Sequence, residues 1–98
     1  MDNVIPLRRT TVPEPEPLWR EALGEQLLVE RRERGERIAD IAGRAGVSPQ
    51  YLSELERGRK DPSSEILSAV SGALGLSVRE LTRRAGRQMT GRPVCLAA

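Results

Sequence analysis

The 98-residue chain has no histidine and no phenylalanine, a single cysteine, Cys95, and only two aromatic residues, Trp19 and Tyr51. Each shortage removes a class of function. Without histidine, and with one thiol, neither a zinc site nor a histidine-dependent catalytic triad can be assembled within one chain, and only an intermolecular disulfide through Cys95 stays open. The serines have no general base beside them in any recognisable pattern and the carboxylates fall on polar helix faces, so the chain reads as non-enzymatic, with no cofactor and no metal. No apolar run approaches the length of a membrane span. The first one is broken by Pro6 and followed by Arg8 and Arg9, unlike a secretory signal, so the expectation is a cytoplasmic protein without a membrane partner.

A core without phenylalanine must be built from Leu, Ile, Val and Ala, which favours short helices packed at close range over a sheet sandwich. No β-type alternation competes, and the expected class is all-α. The net charge of +2 hides an uneven distribution carried mainly by arginine.

The rest of the chain is organised around Ile38 to Lys60, which writes two short helices with a fixed turn between them. Ser48 can cap the second helix, and Pro49 takes its first position, where a missing N–H is harmless. That helix is expected to run through Arg57 and stop at Gly58. Gly46 supplies the positive φ that lets the chain reverse after Arg44 and Ala45. Ile38, Ile41 and Ala45 share one side of the first helix, Leu52 and Leu55 one side of the second, and Val47 plugs the turn. The small Ala42 permits close approach. This leaves Ser48, Pro49, Gln50, Ser53, Glu54 and Arg57 facing outward, with hydrogen-bonding tips first and positive charge last. A plain solvated face would look similar, but the cap and the glycine turn together write a helix-turn-helix.

Before this centre, residues 1–17 carry Pro6, Pro13, Pro15 and Pro17, the last three alternating with Glu14 and Glu16, and are expected to form a disordered arm. A first helix follows, with Trp19, Leu23 and Leu27 on one face, Glu21, Glu25, Arg32 and Arg34 mostly elsewhere, and its end at Gly35. After Lys60, the Asp61-Pro62-Ser63 turn opens a fourth helix that buries Ile66, Leu67, Val70, Ala73 and Leu74 and ends at Gly75. Ser77 and Glu80 form the capping box of a fifth, which turns Val78 and Leu81 inward. Residues 18–86 make the expected domain and residues 87–98 a short tail.

The run from Leu23 to Leu81 resembles the XRE group, the lambda-repressor and Cro-like helix-turn-helix regulators, at Gly24, Arg31, Gly35, Ala42, Gly46, Val47, Ser53, Glu56, Gly58, Pro62 and Ala73 to Gly75. The segment from Tyr51 to Leu67 further resembles the actinobacterial Clp-gene regulators. The resemblance implies a five-helix lambda-repressor-like DNA-binding domain whose Ser48 helix enters the major groove of double-stranded DNA. Base contacts are then expected from Ser48, Pro49, Gln50, Ser53 and Glu54. Gln50 leads, since an amide bonds bidentately to adenine. Phosphate contacts are expected from Arg37, Arg44, Tyr51, Arg57, Arg59 and Lys60, and a structural ion pair from Arg31 and Glu56.

Four positions depart from the family pattern. Glu30 and Glu36 stand where many members carry an apolar residue, Arg37 replaces a capping Ser or Thr, and Ile38 replaces a glutamine that touches phosphate. The missing cap should cost about 1 kcal/mol unless Glu36 or another group substitutes. A single domain reads few base pairs, so the expectation is a homodimer on an inverted repeat, nucleoid-associated when bound, with RNA polymerase and Clp protease as further partners. The final Leu96, Ala97 and Ala98 resemble a C-terminal signal recognised by Clp proteases, against which stands an uninformative terminus. The rival readings are an antitoxin or phage-type repressor and, from another class, a protein-interaction module without DNA binding.

Overall fold

The computed structural model describes residues 18–90, which form five helices: α1 Trp19–Glu33, α2 Ile38–Ala45, α3 Pro49–Glu56, α4 Ser64–Ala73 and α5 Val78–Thr90. No strand occurs among the described residues. Serine starts three of these helices. Ser48 Oγ accepts from the Tyr51 N–H at 3.0 Å, Ser63 Oγ from Ile66 at 3.1 Å and Ser77 Oγ from Glu80 at 3.0 Å. Each such cap satisfies an amide with no partner inside the helix, a gain of about 1 kcal/mol.

At α2, where the cap residue is Arg37, the end is held from the other direction. The Arg37 N–H donates to Asp40 Oδ2 at 3.2 Å, so Asp40 supplies half of a capping box. That hydrogen bond, together with the Arg37 side chain, lowers the Asp40 pKa from its usual value. Glu36 is engaged elsewhere.

The core joins Leu23 and Leu27 of α1, Ile41 and Ala42 of α2, Leu52 and Leu55 of α3, Val70 and Leu74 at α4, and Leu81 and Ala85 of α5. Each such large aliphatic chain, once buried, contributes about 1.5–3 kcal/mol before entropy is counted. Ile66, Leu67, Ala73 and Val47 pack against its edge. Trp19 departs from expectation. It stays 39% exposed because it sits at the first position of α1, outside the layer that begins at Ala22 and Leu23.

Helix α1 packs mainly on α5, α2 on α4, and α1 also crosses the end of α3. The last crossing is backbone against backbone. A Cβ at Gly24 would stand 2.2 Å from the Leu55 carbonyl oxygen and 2.8 Å from that of Glu56. Gly58, at φ 74°, meets the same face of α1 about one turn earlier, where an added Cβ would lie 2.9 Å from Glu21 Cα.

Between α1 and α5 lies a polar layer that sequence periodicity does not reveal. Glu30, only 6% exposed, accepts from Gln26 Nε2 and from Arg84 Nη1, each at 2.7 Å, and Gln88 Nε2 donates to Gln26 Oε1 at 2.7 Å. This explains a carboxylate at a position expected to be apolar: α5 brings its own arginine. It also explains why α5 runs on to Thr90, through residues 87–90 that sequence alone assigns to the tail. Arg84 further bonds Glu80 at 2.6 Å, and Arg83 joins the same carboxylate at 2.7 Å. The two guanidiniums draw the Glu80 pKa down from 4.5 to about 2.

Candidate nucleic-acid interface

The turn between α2 and α3 is closed by Gly46 at φ 76° and by the Val47 N–H, which donates to the Ala42 carbonyl at 3.0 Å. With Ala42 fully buried, the two helices meet at close range, and α3 is seated on the core by Leu52 and Leu55. Its far end is held by Arg31. The guanidinium donates from Nε to Glu56 Oε2 at 2.7 Å and from Nη2 to Glu56 Oε1 at 2.9 Å, while Nη1 reaches the Glu36 carbonyl at 3.1 Å. The bond to Glu56 raises the Arg31 pKa further above its already high normal value. A helix anchored by core leucines, a bidentate ion pair and a backbone contact at Gly24 presents its outer face rigidly.

On that face Ser48, Pro49 and Gln50 are exposed, Tyr51, Ser53 and Glu54 are half-buried, and Arg57, Arg59 and Lys60 are exposed. Their partners differ. Ser48 uses its hydroxyl in the helix cap, and Tyr51 packs against the core. Ser53 Oγ accepts from Arg57 Nη1 at 2.8 Å, and Glu54 Oε1 stands 3.5 Å from Lys60 Nζ. Among the described residues, the side chains of Gln50 and Arg59 have no hydrogen-bond or ion-pair partner. Helix α3 ends at Glu56; Arg57, at ψ 4°, caps it one residue earlier than the sequence suggests.

The remaining sequence-expected cations stand at the cap of α2 and in its last turn. Arg37 points outward with Nε 3.5 Å from Asp40 Oδ2. Arg44 turns instead toward the end of α4, pairing with Glu36 and donating from Nη2 to the Ala73 carbonyl at 3.2 Å. It thereby satisfies a carbonyl that α4 leaves without a helical partner. Arg8 and Arg9 of the arm, Cys95, and the Leu96, Ala97 and Ala98 signal lie outside the described residues.

A cleft of about 490 Å³ opens between α1, α2 and α3, lined by Leu28, Arg31, Arg32, Arg37, Ile38, Ser53, Glu56 and Arg57. Helical periodicity puts Arg32 on a solvated face of α1; only the packing of α2 and α3 turns that face into a cleft wall.

The helix-turn-helix family matches residues 29–81, a span reaching from within α1 to Leu81 of α5, and the chain belongs to that family of transcriptional regulators. More particularly, it is similar to the regulator ClgR. It is 44% identical over 72 residues to ClgR of Mycobacterium tuberculosis, covering 74% of this chain and 64% of that protein. The crystal structure of the clp gene regulator ClgR from Corynebacterium glutamicum superposes with a TM-score of 0.75 at 50% identity, covering 78% of this chain and 81% of the other. The regulator DdrOP3 of Deinococcus deserti is 49% identical over 59 residues, covering 60% of this chain and 46% of that protein. The chain thus spans just under two thirds of the M. tuberculosis relative. The all-α, lambda-repressor-like architecture expected from the sequence is the architecture found, and the family is one of regulators rather than enzymes.

Proposed function

We propose that the chain binds double-stranded DNA with α3 in the major groove, acts as a homodimer on an inverted-repeat operator, and controls genes of the Clp protease system. One observation carries the DNA reading: Gln50 projects an amide without an intramolecular partner among the described residues, on a helix flanked by Arg57 and Arg59, neither of which faces a carboxylate there. An amide with both donor and acceptor free can bond the N6 and N7 edge of adenine, and uncompensated guanidiniums beside it grip the backbone. The Clp target rests on the similarity to ClgR, and the dimer on the small number of base pairs a single α3 can cover.

Selection of bound sequences from a randomised duplex pool tests the reading. The wild type should enrich a two-fold symmetric site with half-sites about one helical turn apart. Gln50→Ala should lose preference at one base pair in each half. Enrichment of an asymmetric site would remove the dimer, and retention of every base preference by Gln50→Ala would remove the readout assigned to that side chain. Mapping bound sites in cells would then test the Clp genes.

A further inference from the structure

We infer that the cleft between α1, α2 and α3 seats a phosphate of the DNA backbone on Arg32 and Arg57, and that Ser53 is the positioning residue that holds Arg57 in place. The inference rests on the DNA-binding reading above; it adds Arg32 to the phosphate contacts expected from the sequence and gives Ser53 a role other than base contact. The cleft wall carries four arginines and one carboxylate. Glu56 is fully engaged by Arg31, and Arg37 has Asp40 beside it. Arg32 and Arg57 have no carboxylate partner among the described residues. Two guanidiniums bordering the same concavity repel each other unless an anion lies between them, and their planar donor forks match phosphate oxygens. Leu28 and Ile38 line the same cleft with aliphatic surface, against which a sugar can rest but which offers a phosphate no hydrogen bond.

Ser53 lines the cleft as well, and its hydroxyl accepts from Arg57 Nη1 at 2.8 Å one helical turn away. Arg57 is the first residue past the helix, where a long side chain otherwise samples many rotamers. Tethering one of its nitrogens restricts that freedom before DNA arrives and leaves its other N–H groups available. Ser53 therefore acts through Arg57 and does not read a base. This separates it from Gln50, with which the sequence groups it.

The test compares wild type, Arg32→Ala, Arg32→Lys, Ser53→Ala and Ser53→Thr for affinity to one selected duplex across salt concentrations and for base preference in a randomised pool. Arg32→Ala should weaken binding to all sequences alike and reduce the salt slope by about 0.9, while Arg32→Lys should keep the slope. Ser53→Ala should weaken binding with base preference intact, and Ser53→Thr, which keeps the hydroxyl, should restore it. A wild-type salt slope in Arg32→Ala would overturn the seat. A changed preference at one base pair in Ser53→Ala would overturn the positioning role. Inorganic phosphate raising the melting temperature of wild type, but not of Arg32→Ala, at fixed ionic strength would reassign the cleft to a free anion. Should the wild type bind no duplex at low salt, the parent reading fails and this one with it; should Arg59→Ala still weaken binding while Arg32→Ala does not, only the cleft assignment fails.

Discussion

Arg31 on α1 and Glu56 at the end of α3 are 25 residues apart in sequence and form a bidentate pair, Nε to Oε2 at 2.7 Å and Nη2 to Oε1 at 2.9 Å. The carboxylate side chain is only 7% exposed, so removing the arginine strands a charge that water can barely reach. Arg31→Met should destabilise the domain by about 3 kcal/mol, measured by urea unfolding. Arg31→Met combined with Glu56→Leu should recover much of that loss. A double variant as unstable as the sum of the two singles would mean that the pair itself is not what these residues contribute.

The same junction makes a second prediction through Gly24. A methyl group there would stand 2.2 Å from one backbone carbonyl and 2.8 Å from the next, and neither can rotate away as a side chain would. The strain can be relieved only by sliding the C-terminal end of α3 off α1. Gly24→Ala should therefore cost about 3 kcal/mol, at the upper end for overpacking. Duplex affinity should also fall at temperatures where circular dichroism still reports folded helices. Gly72→Ala, where no atom lies within reach of the new methyl, is the control and should leave both unchanged or improve stability slightly.

What the sequence made legible is what acts locally. Ser48, Ser63 and Ser77 announce their helices because a cap reaches only three residues, and the α2–α3 turn is readable because Gly46 and Val47 act on immediate neighbours. Arg31 and Glu56 could be paired only through family resemblance, since nothing in helical periodicity joins two charges across that separation. Nothing local in the sequence joins Glu30 to Arg84, 54 residues away. Each looks like an ordinary polar-face residue until α5 is laid on α1. Arg32 likewise looks like a polar-face residue until α2 and α3 turn its face into a cleft wall. Periodicity places Ser53 and Glu54 on the outer face of α3 but does not show the neighbour each side chain finds, here Arg57 and Lys60.

Arg44 and Arg59 separate two kinds of cation that the sequence could not tell apart. Arg44 is occupied by Glu36 and the Ala73 carbonyl, whereas Arg59 has no side-chain partner among the described residues. Arg59→Ala should leave the melting temperature nearly unchanged and lower the salt slope of duplex binding by about 0.9. Arg44→Ala should do the reverse, losing about 1 kcal/mol of stability with the slope intact. Affinity measured from low to moderate salt, alongside thermal melts of both variants, decides the assignment. An Arg44→Ala slope reduced as much as that of Arg59→Ala would make Arg44 a phosphate contact after all.

Acid should loosen the start of α5 in a specific window. Glu80 is held by Arg83 and Arg84, which lower its pKa from 4.5 to about 2. A carboxylate whose folded pKa lies below its unfolded value contributes stability above the unfolded value, and that contribution disappears as pH falls through the folded one. The wild type should therefore be more stable than Glu80→Gln at neutral pH, and their melting temperatures should converge as pH drops from about 4.5 toward about 2. Because Glu80 is open to solvent, added salt should narrow the neutral-pH difference as well. Asp40, lowered in the same direction by the Arg37 N–H and side chain, should behave likewise when compared with Asp40→Asn. A gap between wild type and Glu80→Gln that is independent of both pH and salt would locate the effect in packing at the α1–α5 junction rather than in the charge of that carboxylate.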